Sequence, residues 1–395
     1  MTTSTTGTTS APARGIDFPF TDEQRALRER VRAFAAEKLA PEAERLDTEE
    51  HFSHEMHRDL VESGLFGYFV PRELGGEGLS VTSICIIREE LARVVPAADE
   101  LFTSQGIAVQ AIALWGSPEQ QRDSLAGLMD GSRIFAFGLT EPAAGSDVGG
   151  IQSVAVEDGD QFRITGQKRF IYAPDQATHL MVFAKTDPEK GKHGITAFLV
   201  EQPESGVRYE DYKLFKPGPE TQIHFEDCAV PASSMLGRRG EGIKVALSNL
   251  DRLRPSVGAA SVGVAESALA DSIAYVAQRE AFGGRLSDLQ AVSHRLANAV
   301  AEVDAARMLV YAAAANADGP AVELGASSAK AKLIATETAW RAIDSAAQVH
   351  GGSGLRRGSV TERAMKAIRA ARIYEGSSEV MQLVVARSLF PRASR

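Results

Sequence analysis

The sequence predicts an α+β protein of several domains: an N-terminal all-helical domain, a middle antiparallel β-barrel or sandwich, and a C-terminal helical bundle. The chain has 395 residues, more than a single simple core usually organises. The spacing of its apolar residues also changes from helical to strand-like near residue 133, and back near residue 241. We therefore expect a disordered tail at 1–17 and domains at 18–132, 133–240 and 241–395.

Helix signals dominate the first predicted domain. Thr21 and Gln24 occupy capping-box positions at one helix start, and Ser117 before Pro118 marks another. Between them, apolar periodicity predicts helices over 54–63, Val81–Val94 and 101–115.

The middle region consists of short segments rich in β-branched and aromatic residues, mostly separated by Gly, Asp or Pro. We expect strands at 134–139, 154–157, 161–165, 168–172, His179–Lys185, Ile195–Glu201, 207–214 and 222–228. Long Ala-rich helices follow, and their short links favour an antiparallel bundle. They are predicted at Gly242–Gln278, 288–317, 322–350, 360–372 and Ser378–Leu389.

Composition excludes several classes of protein. The net charge of −9 and pI near 5.5 argue against a nucleic-acid-binding surface. No apolar run reaches about 20 residues without a charge, so no membrane span is predicted. Cys85 and Cys228 lie far apart without metal-ligand spacing, so we predict no metal site and two reduced thiols. We expect a cytoplasmic protein of bacterial type rather than a mitochondrial one, since Arg14 is the only basic residue of the N-terminal tail.

Three loops have compositions that suit a polar ligand. The run 138–147 contains Leu139, Thr140, Gly145 and Ser146 and offers hydroxyls and backbone N–H groups, although a turn between strands has the same composition. Arg279 begins a Gly-containing link between two long helices, where it can bind a pyrophosphate or cap a helix. The glycines of 351–354 suit close approach of a phosphate or adenine, or again a helix cap.

A short stretch between the last two predicted helices carries the candidate catalytic group. It contains Tyr374, Glu375 and Gly376, and then Ser377 or Ser378 as the N-cap of the final helix. A carboxylate at a helix junction beside an aromatic can act on a bound molecule. Glutamates in loops are more often simply solvated, so the case for a catalytic role of Glu375 depends on the other motifs of the chain.

The motifs in this order, within a helix–sheet–helix layout, resemble the acyl-CoA dehydrogenase family over residues 18–387. The resemblance implies FAD as cofactor and a homo-oligomer, a tetramer in most members. It also implies an acyl thioester substrate, on coenzyme A or on a carrier protein, and electron-transfer flavoprotein as electron acceptor. The implied reaction is α,β-dehydrogenation, in which a base removes the α-proton and the β-hydride passes to flavin N5.

By this resemblance Glu375 is the base and Arg254 lies beside it, while the alternative base position of some members is the apolar Leu253. The substrate-binding residues are Ser146, Asp251, Arg254, Tyr374 and Gly376. The cofactor-binding residues are Leu139, Thr140, Gly145, Ser146, Phe170, Tyr172, Arg279, Phe282, Gln290, Gln348, Gly351, Gly352, Ser377 and Glu379. Residues that set acyl length are expected within 101–113, where Gly106 and Ala108 leave space.

Two departures from the family pattern keep other functions open. Phe170 stands where the family has Trp, and Tyr172 stands where it has Thr or Ser to donate towards flavin N5. One alternative is a flavin monooxygenase or oxidase of the same fold, which oxygen consumption would reveal. Another is a non-catalytic scaffold without flavin, which would be colourless.

Overall fold

A computed structural model describes residues 18–202 and 205–390. The predicted disordered tail at 1–17 lies outside these residues. The described chain passes from helices through a mixed sheet to a second set of helices. This order supports domain boundaries at 132/133 and 240/241, which we retain as a proposal.

The N-terminal helices are α1 (Asp22–Phe34), α2 (Ala43–Leu46), α3 (His54–Glu62), α4 (Val81–Val94), α5 (Pro96–Trp115) and α6 (Pro118–Met129). The capping box of Thr21 and Gln24 is confirmed, as is the helix start predicted at Ser117, whose hydroxyl also forms a capping box with Gln120. Helix α5 begins earlier than predicted because Pro96 serves as a first-turn residue. A π-helical turn at Ala35–Leu39, which periodicity did not indicate, continues α1.

The middle sheet contains β1 (Phe135–Gly138), β2 (Val154–Asp158), β3 (Gln161–Tyr172), β4 (His179–Lys185), β5 (Ile195–Glu201), β6 (Val207–Asp211), β7 (Glu220–Pro231) and β8 (Met235–Leu236). The strand order is β6-β7-β3-β2-β4-β5-β8, and β1 pairs with β4. Most neighbours are antiparallel, as predicted, but β1 and β2 each pair with β4 in the parallel direction. Within the described residues the sheet is not closed into a barrel.

Strand β3 corrects the prediction of two separate strands at 161–165 and 168–172. Its pairing with β7 has two irregularities, one between Ile164 and Gly166 and one between Lys168 and Ile171. These bulges account for the interruptions of the strand pattern in the sequence. Because pairing resumes after each bulge, the strand stays continuous and bends.

The C-terminal part contains α7 (Gly242–Gln278), a hairpin of β9 (Glu280–Ala281) and β10 (Gly284–Arg285), then α8 (Gln290–Asp318), α9 (Leu324–His350), α10 (Val360–Ala371) and α11 (Ser378–Leu389). Helix α7 packs against α8 and α9, and also against α4. A Cβ at Gly263 would lie 2.1 Å from the Glu89 carbonyl oxygen, so glycine permits the close approach of α7 to α4. No helix within 18–202 or 205–390 is long and apolar enough to cross a membrane.

Candidate active site

Glu375 lies in a tight turn between α10 and α11. Glu375 and Gly376 both have left-handed backbone conformations, with φ of +53° and +98°. Ser377 is the N-cap of α11, because its hydroxyl accepts the Val380 N–H at 3.4 Å. The N-cap predicted at Ser377 or Ser378 is therefore at Ser377. A left-handed non-glycine residue is unfavourable unless its surroundings hold it, and such residues concentrate at functional sites.

Two cations from two different helices hold this turn through its backbone. Arg254 of α7 donates from Nε to the Glu375 carbonyl oxygen at 3.1 Å. Lys332 of α9 donates from Nζ to the Gly376 carbonyl oxygen at 2.6 Å. Arg254 is itself oriented by an ion pair with Asp251. The structure thus brings Asp251, Arg254 and Glu375 together, as predicted, and adds Lys332.

The Glu375 side chain is half-buried, and its Oε2 atom is enclosed without a hydrogen-bond partner among the described residues. Burial raises the pKa of this carboxyl above its usual value, while the charges of Arg88, Lys332 and Arg254 oppose the rise. A desolvated carboxylate with an unsatisfied oxygen is a stronger base than a solvated one. Leu253, at the alternative base position, is buried and apolar.

Arg88 is a buried cation that is not among the site residues predicted from the sequence. It lies on α4 and is fully buried. Its guanidinium forms a bidentate pair with Asp99 at 2.7 and 2.9 Å and donates to the Ser256 hydroxyl at 2.8 Å. Its positive charge opposes the effect of burial on the pKa of the Glu375 carboxyl. The one sequence signal for a buried Arg88 was its position within an apolar helical run.

A second buried ion pair supports the segment of Leu139 and Thr140. Lys168 of β3 is fully buried and donates from Nζ to Glu141 Oε1 and to the Phe183 carbonyl oxygen, both at 2.6 Å. The Glu141 carboxylate also accepts the backbone N–H groups of Gln152 and Ser153, at 2.5 and 3.1 Å. Burial lowers the pKa of Lys168 to about 8 although the Glu141 charge opposes this. These bonds fix both ends of the loop that carries Gly145 and Ser146.

Phe170 and Tyr172 have different environments. Phe170 lies in the second bulge of β3, has φ of +59°, is 48% exposed and packs edge-on against Tyr212 with ring centroids 5.1 Å apart. Tyr172 packs near Phe52, with a centroid distance of 6.3 Å. Burial and the nearby Glu100 carboxylate raise the Tyr172 pKa well above its usual value. Tyr172 is therefore a neutral hydroxyl, while Phe170 presents an aromatic face to the outside.

The remaining predicted cofactor residues lie at the far end of the bundle. Arg279 follows the end of α7, about 36 Å along that helix from Arg254. Phe282 sits in the turn of the β9–β10 hairpin with φ of +54° and is 91% exposed. His350, which precedes Gly351, stacks on Tyr275 of α7 with ring centroids 4.5 Å apart, so the ends of α7 and α9 adjoin. Gln290 and Gln348 are both exposed at these helix ends. Apart from Ser377 and Glu379, which lie at the start of α11 beside the base, the predicted cofactor residues thus form two separate groups.

Some glycines of these loops have no role in the packing of this chain. Among the residues that the structure describes, a Cβ added at Gly145 or at Gly352 would meet nothing within 4 Å, and neither residue has a left-handed φ. Internal sterics therefore do not require glycine there, whereas close approach of an external ligand would. Phe282, a bulky residue that is both exposed and left-handed, is likewise unusual and has no evident role in the packing of the described residues. These features fit a bound FAD.

A small cavity of about 60 Å³ adjoins Tyr374. Its lining includes Asp47, Ala97, Glu100, Ala260, Ser261 and Tyr374. Lys216 approaches a Glu100 oxygen to 2.8 Å at its wall. One water needs about 10–15 Å³ of such space, so the cavity holds only a few heavy atoms.

The expectation that Gly106 leaves space for an acyl chain is wrong. A Cβ at this position would lie 2.0 Å from Phe69 Cζ, so the ring already fills the space beside Gly106. The cavity instead uses residues at the start of α5, such as Ala97 and Glu100.

Three family models match the chain in order. They describe the N-terminal domain of acyl-CoA dehydrogenases over residues 21–132, the middle domain over 136–228 and the C-terminal domain over 240–390. A probable acyl-CoA dehydrogenase of Mycobacterium tuberculosis is 35% identical over 375 residues, which cover 94% of this chain and 96% of that protein.

Solved structures of acyl-CoA dehydrogenases also match this chain. The butyryl-CoA dehydrogenase of Megasphaera elsdenii superposes with a TM-score of 0.90 at 34% identity, covering 95% of this chain and all of that one. A glutaryl-CoA dehydrogenase of Mycobacterium smegmatis, solved in complex with FADH2, has a TM-score of 0.88 at 25% identity and covers 95% and 96% of the two chains. The chain belongs to the acyl-CoA dehydrogenase family.

Proposed function

We propose that this protein is an FAD-dependent dehydrogenase of a short acyl thioester, with Glu375 as the base that removes the α-proton. The observation that carries the proposal is the Glu375 carboxylate, which is half-buried and lies in a turn held by two cations, and one of whose oxygens is enclosed without a hydrogen-bond partner in the described part of the chain. Its family, and the acyl-CoA dehydrogenases among its relatives, support this reaction.

FAD would be held by two groups of residues, and when bound it supplies the hydride acceptor that no side chain offers. Leu139, Thr140, Gly145, Ser146, Phe170 and Tyr172 form one group. Arg279, Phe282, Gln290, Gln348, Gly351 and Gly352 form the other, and Ser377 and Glu379 complete the site beside the base. Because the second group is about 36 Å from Arg254 along α7, it would serve the cofactor of a neighbouring subunit.

The chain's own residues would activate the substrate in two ways. The Glu375 carboxylate accepts the α-proton, and its raised pKa brings its basicity closer to that of the thioester α-carbon. The Glu375 backbone N–H polarises the thioester carbonyl and stabilises the developing enolate. Arg254 and Asp251 fix the turn that presents both groups.

The finer assignments follow from the same proposal. The cavity beside Tyr374 would receive the end of the acyl group, and its volume of about 60 Å³ favours a short chain. The pantetheine arm would be that of coenzyme A or of a carrier protein, with Ser146 and Gly376 beside it. We further propose a cytoplasmic homotetramer that passes electrons to electron-transfer flavoprotein.

Anaerobic absorption spectroscopy tests the proposal. Purified yellow protein is mixed with butyryl-CoA, octanoyl-CoA, palmitoyl-CoA and a butyryl carrier protein, and the flavin band is followed. We expect bleaching by a butyryl thioester and none by palmitoyl-CoA. Oxygen consumption in air matching product formation would instead support the oxidase or monooxygenase alternative, which the Phe170 and Tyr172 departures keep open. A colourless protein that cannot bind FAD would contradict the enzyme function.

A further inference from the structure

Lys332 is a fully buried lysine on the bundle face that meets the Glu375 turn. Its neighbours on the same helix, Ser328, Ala331, Ala335 and Thr336, are also fully buried. Burying an ammonium group is unfavourable unless it finds acceptors or an opposite charge. The Nζ atom donates to the Gly376 carbonyl oxygen at 2.6 Å, which is a short charge-assisted bond. A buried lysine at this point therefore needs an explanation beyond packing.

The bond from Lys332 complements that from Arg254. The two cations come from α9 and α7 and contact consecutive carbonyls, those of Gly376 and Glu375. Both turn residues are left-handed, and for Glu375 this conformation is intrinsically unfavourable because the side chain crowds the following carbonyl. Charge-assisted bonds to the two carbonyls offset that strain.

We propose that Lys332 is a positioning residue for the base: it holds the turn that presents Glu375 and keeps the Glu375 carboxylate charged in its desolvated site. This inference rests on the proposed function, in which Glu375 removes the α-proton. It assigns to Lys332 a role distinct from that of Arg254, because Arg254 is anchored by a side-chain ion pair with Asp251, whereas Lys332 donates to the Gly376 carbonyl oxygen from a fully buried position.

The charges around Glu375 and Lys332 determine the direction in which Lys332 shifts the Glu375 pKa. Arg88 of α4, Arg254 of α7 and Lys332 of α9 favour the Glu375 carboxylate, and Asp99 of α5 disfavours it. Burial lowers the pKa of Lys332 to about 8, with Arg254 also lowering it and Glu375, Glu337 and Glu379 opposing. Lys332 is thus cationic below about pH 8, and removing it raises the Glu375 pKa further.

The test compares Lys332→Met, Lys332→Arg and, as a matched control, Lys330→Met, which changes an exposed lysine two residues away on the same helix. Flavin content and thermal melting establish that each variant is folded. The pH dependence of anaerobic flavin reduction then gives the apparent pKa of the base. An opposite charge at close range lowers a carboxyl pKa by about 1–3 units. Lys332→Met should therefore raise the apparent pKa of the acid limb, the pH range in which flavin reduction falls as the base is protonated, by about one unit.

At pH 7 the same variant should lose about 10–100-fold in kcat, with KM changed less than about threefold, because the bond acts on the base rather than on substrate binding. Lys332→Arg should recover most of kcat, and Lys330→Met should match the parent protein. If Lys332→Met does not retain flavin, Lys332→Gln replaces it, since it removes the charge with a smaller change in polarity.

A second readout separates proton abstraction from flavin reduction. Acetyl-CoA has α-hydrogens but no β-carbon, so it can exchange α-protons with deuterated water without being dehydrogenated. Exchange measured by NMR should fall about 10–100-fold in Lys332→Met. Unchanged exchange together with an unmoved acid limb would overturn the role of Lys332. The proposed function would survive that result as long as the parent protein reduces its flavin, and it would fail separately if no thioester does so.

Discussion

Replacing Lys168 with methionine should strongly destabilise the middle domain, because it leaves the Glu141 carboxylate buried without its cation. Lys168 is fully buried and Glu141 is 4% exposed, and the pair is joined at 2.6 Å. Removing one partner of a buried ion pair generally costs about 3–5 kcal/mol. Because Glu141 keeps its bonds from the Gln152 and Ser153 N–H groups, we expect about 3 kcal/mol.

The assay is urea denaturation followed by circular dichroism, with the double variant Lys168→Met/Glu141→Gln completing a cycle. Neutralising both partners should recover about 2 kcal/mol relative to Lys168→Met alone. Lys190→Met, which removes the exposed partner of Asp187 in the same domain, is the control and should leave the unfolding free energy unchanged within error. A loss below about 1 kcal/mol for Lys168→Met, with no recovery in the double variant, would refute the reasoning.

Three further predictions concern the site and its surroundings. Since burial raises the Glu375 pKa and only the carboxylate accepts a proton, flavin reduction should fall as the pH drops through a value above 4.5; a limb at or below 4.5 would contradict this. Arg279→Gln should weaken FAD binding about 10–100-fold through loss of a charge-assisted bond, whereas the control Arg285→Gln, in the hairpin that follows, should not. Equal FAD retention by both variants would show that Arg279 does not bind the cofactor. Gly106→Ala should destabilise the protein by about 1–3 kcal/mol through overlap with Phe69, while Gly145→Ala should leave stability unchanged; a stable Gly106→Ala with altered chain-length preference would restore the original view of this glycine.

Much of the architecture was predictable because its signals are local. The capping residues Thr21, Ser117 and Ser377 mark helix starts directly in the sequence, and their hydrogen bonds are present. Apolar periodicity also located the long helices to within a few residues. The two strands predicted within Gln161–Tyr172 were wrong because bulges are set by pairing with β7, which a single segment does not reveal.

The parts of the candidate site that were missed depend on long-range contacts. Lys168 and Glu141 are 27 positions apart, and Lys332 meets Gly376 across 44 positions. Each of these lysines looks like an ordinary surface residue in its own segment. Only the tertiary structure shows that both are buried beside the residues that the motifs had identified.

The most direct test of the central claim is anaerobic reduction of the bound flavin by a butyryl thioester in the parent protein and in Glu375→Gln. Glu73→Gln, which changes an exposed glutamate of the N-terminal domain, is the control. We predict that the parent and the control bleach, and that Glu375→Gln, with its flavin retained, reacts at least about 100-fold more slowly. Bleaching of Glu375→Gln at the parent rate would show that another group removes the α-proton.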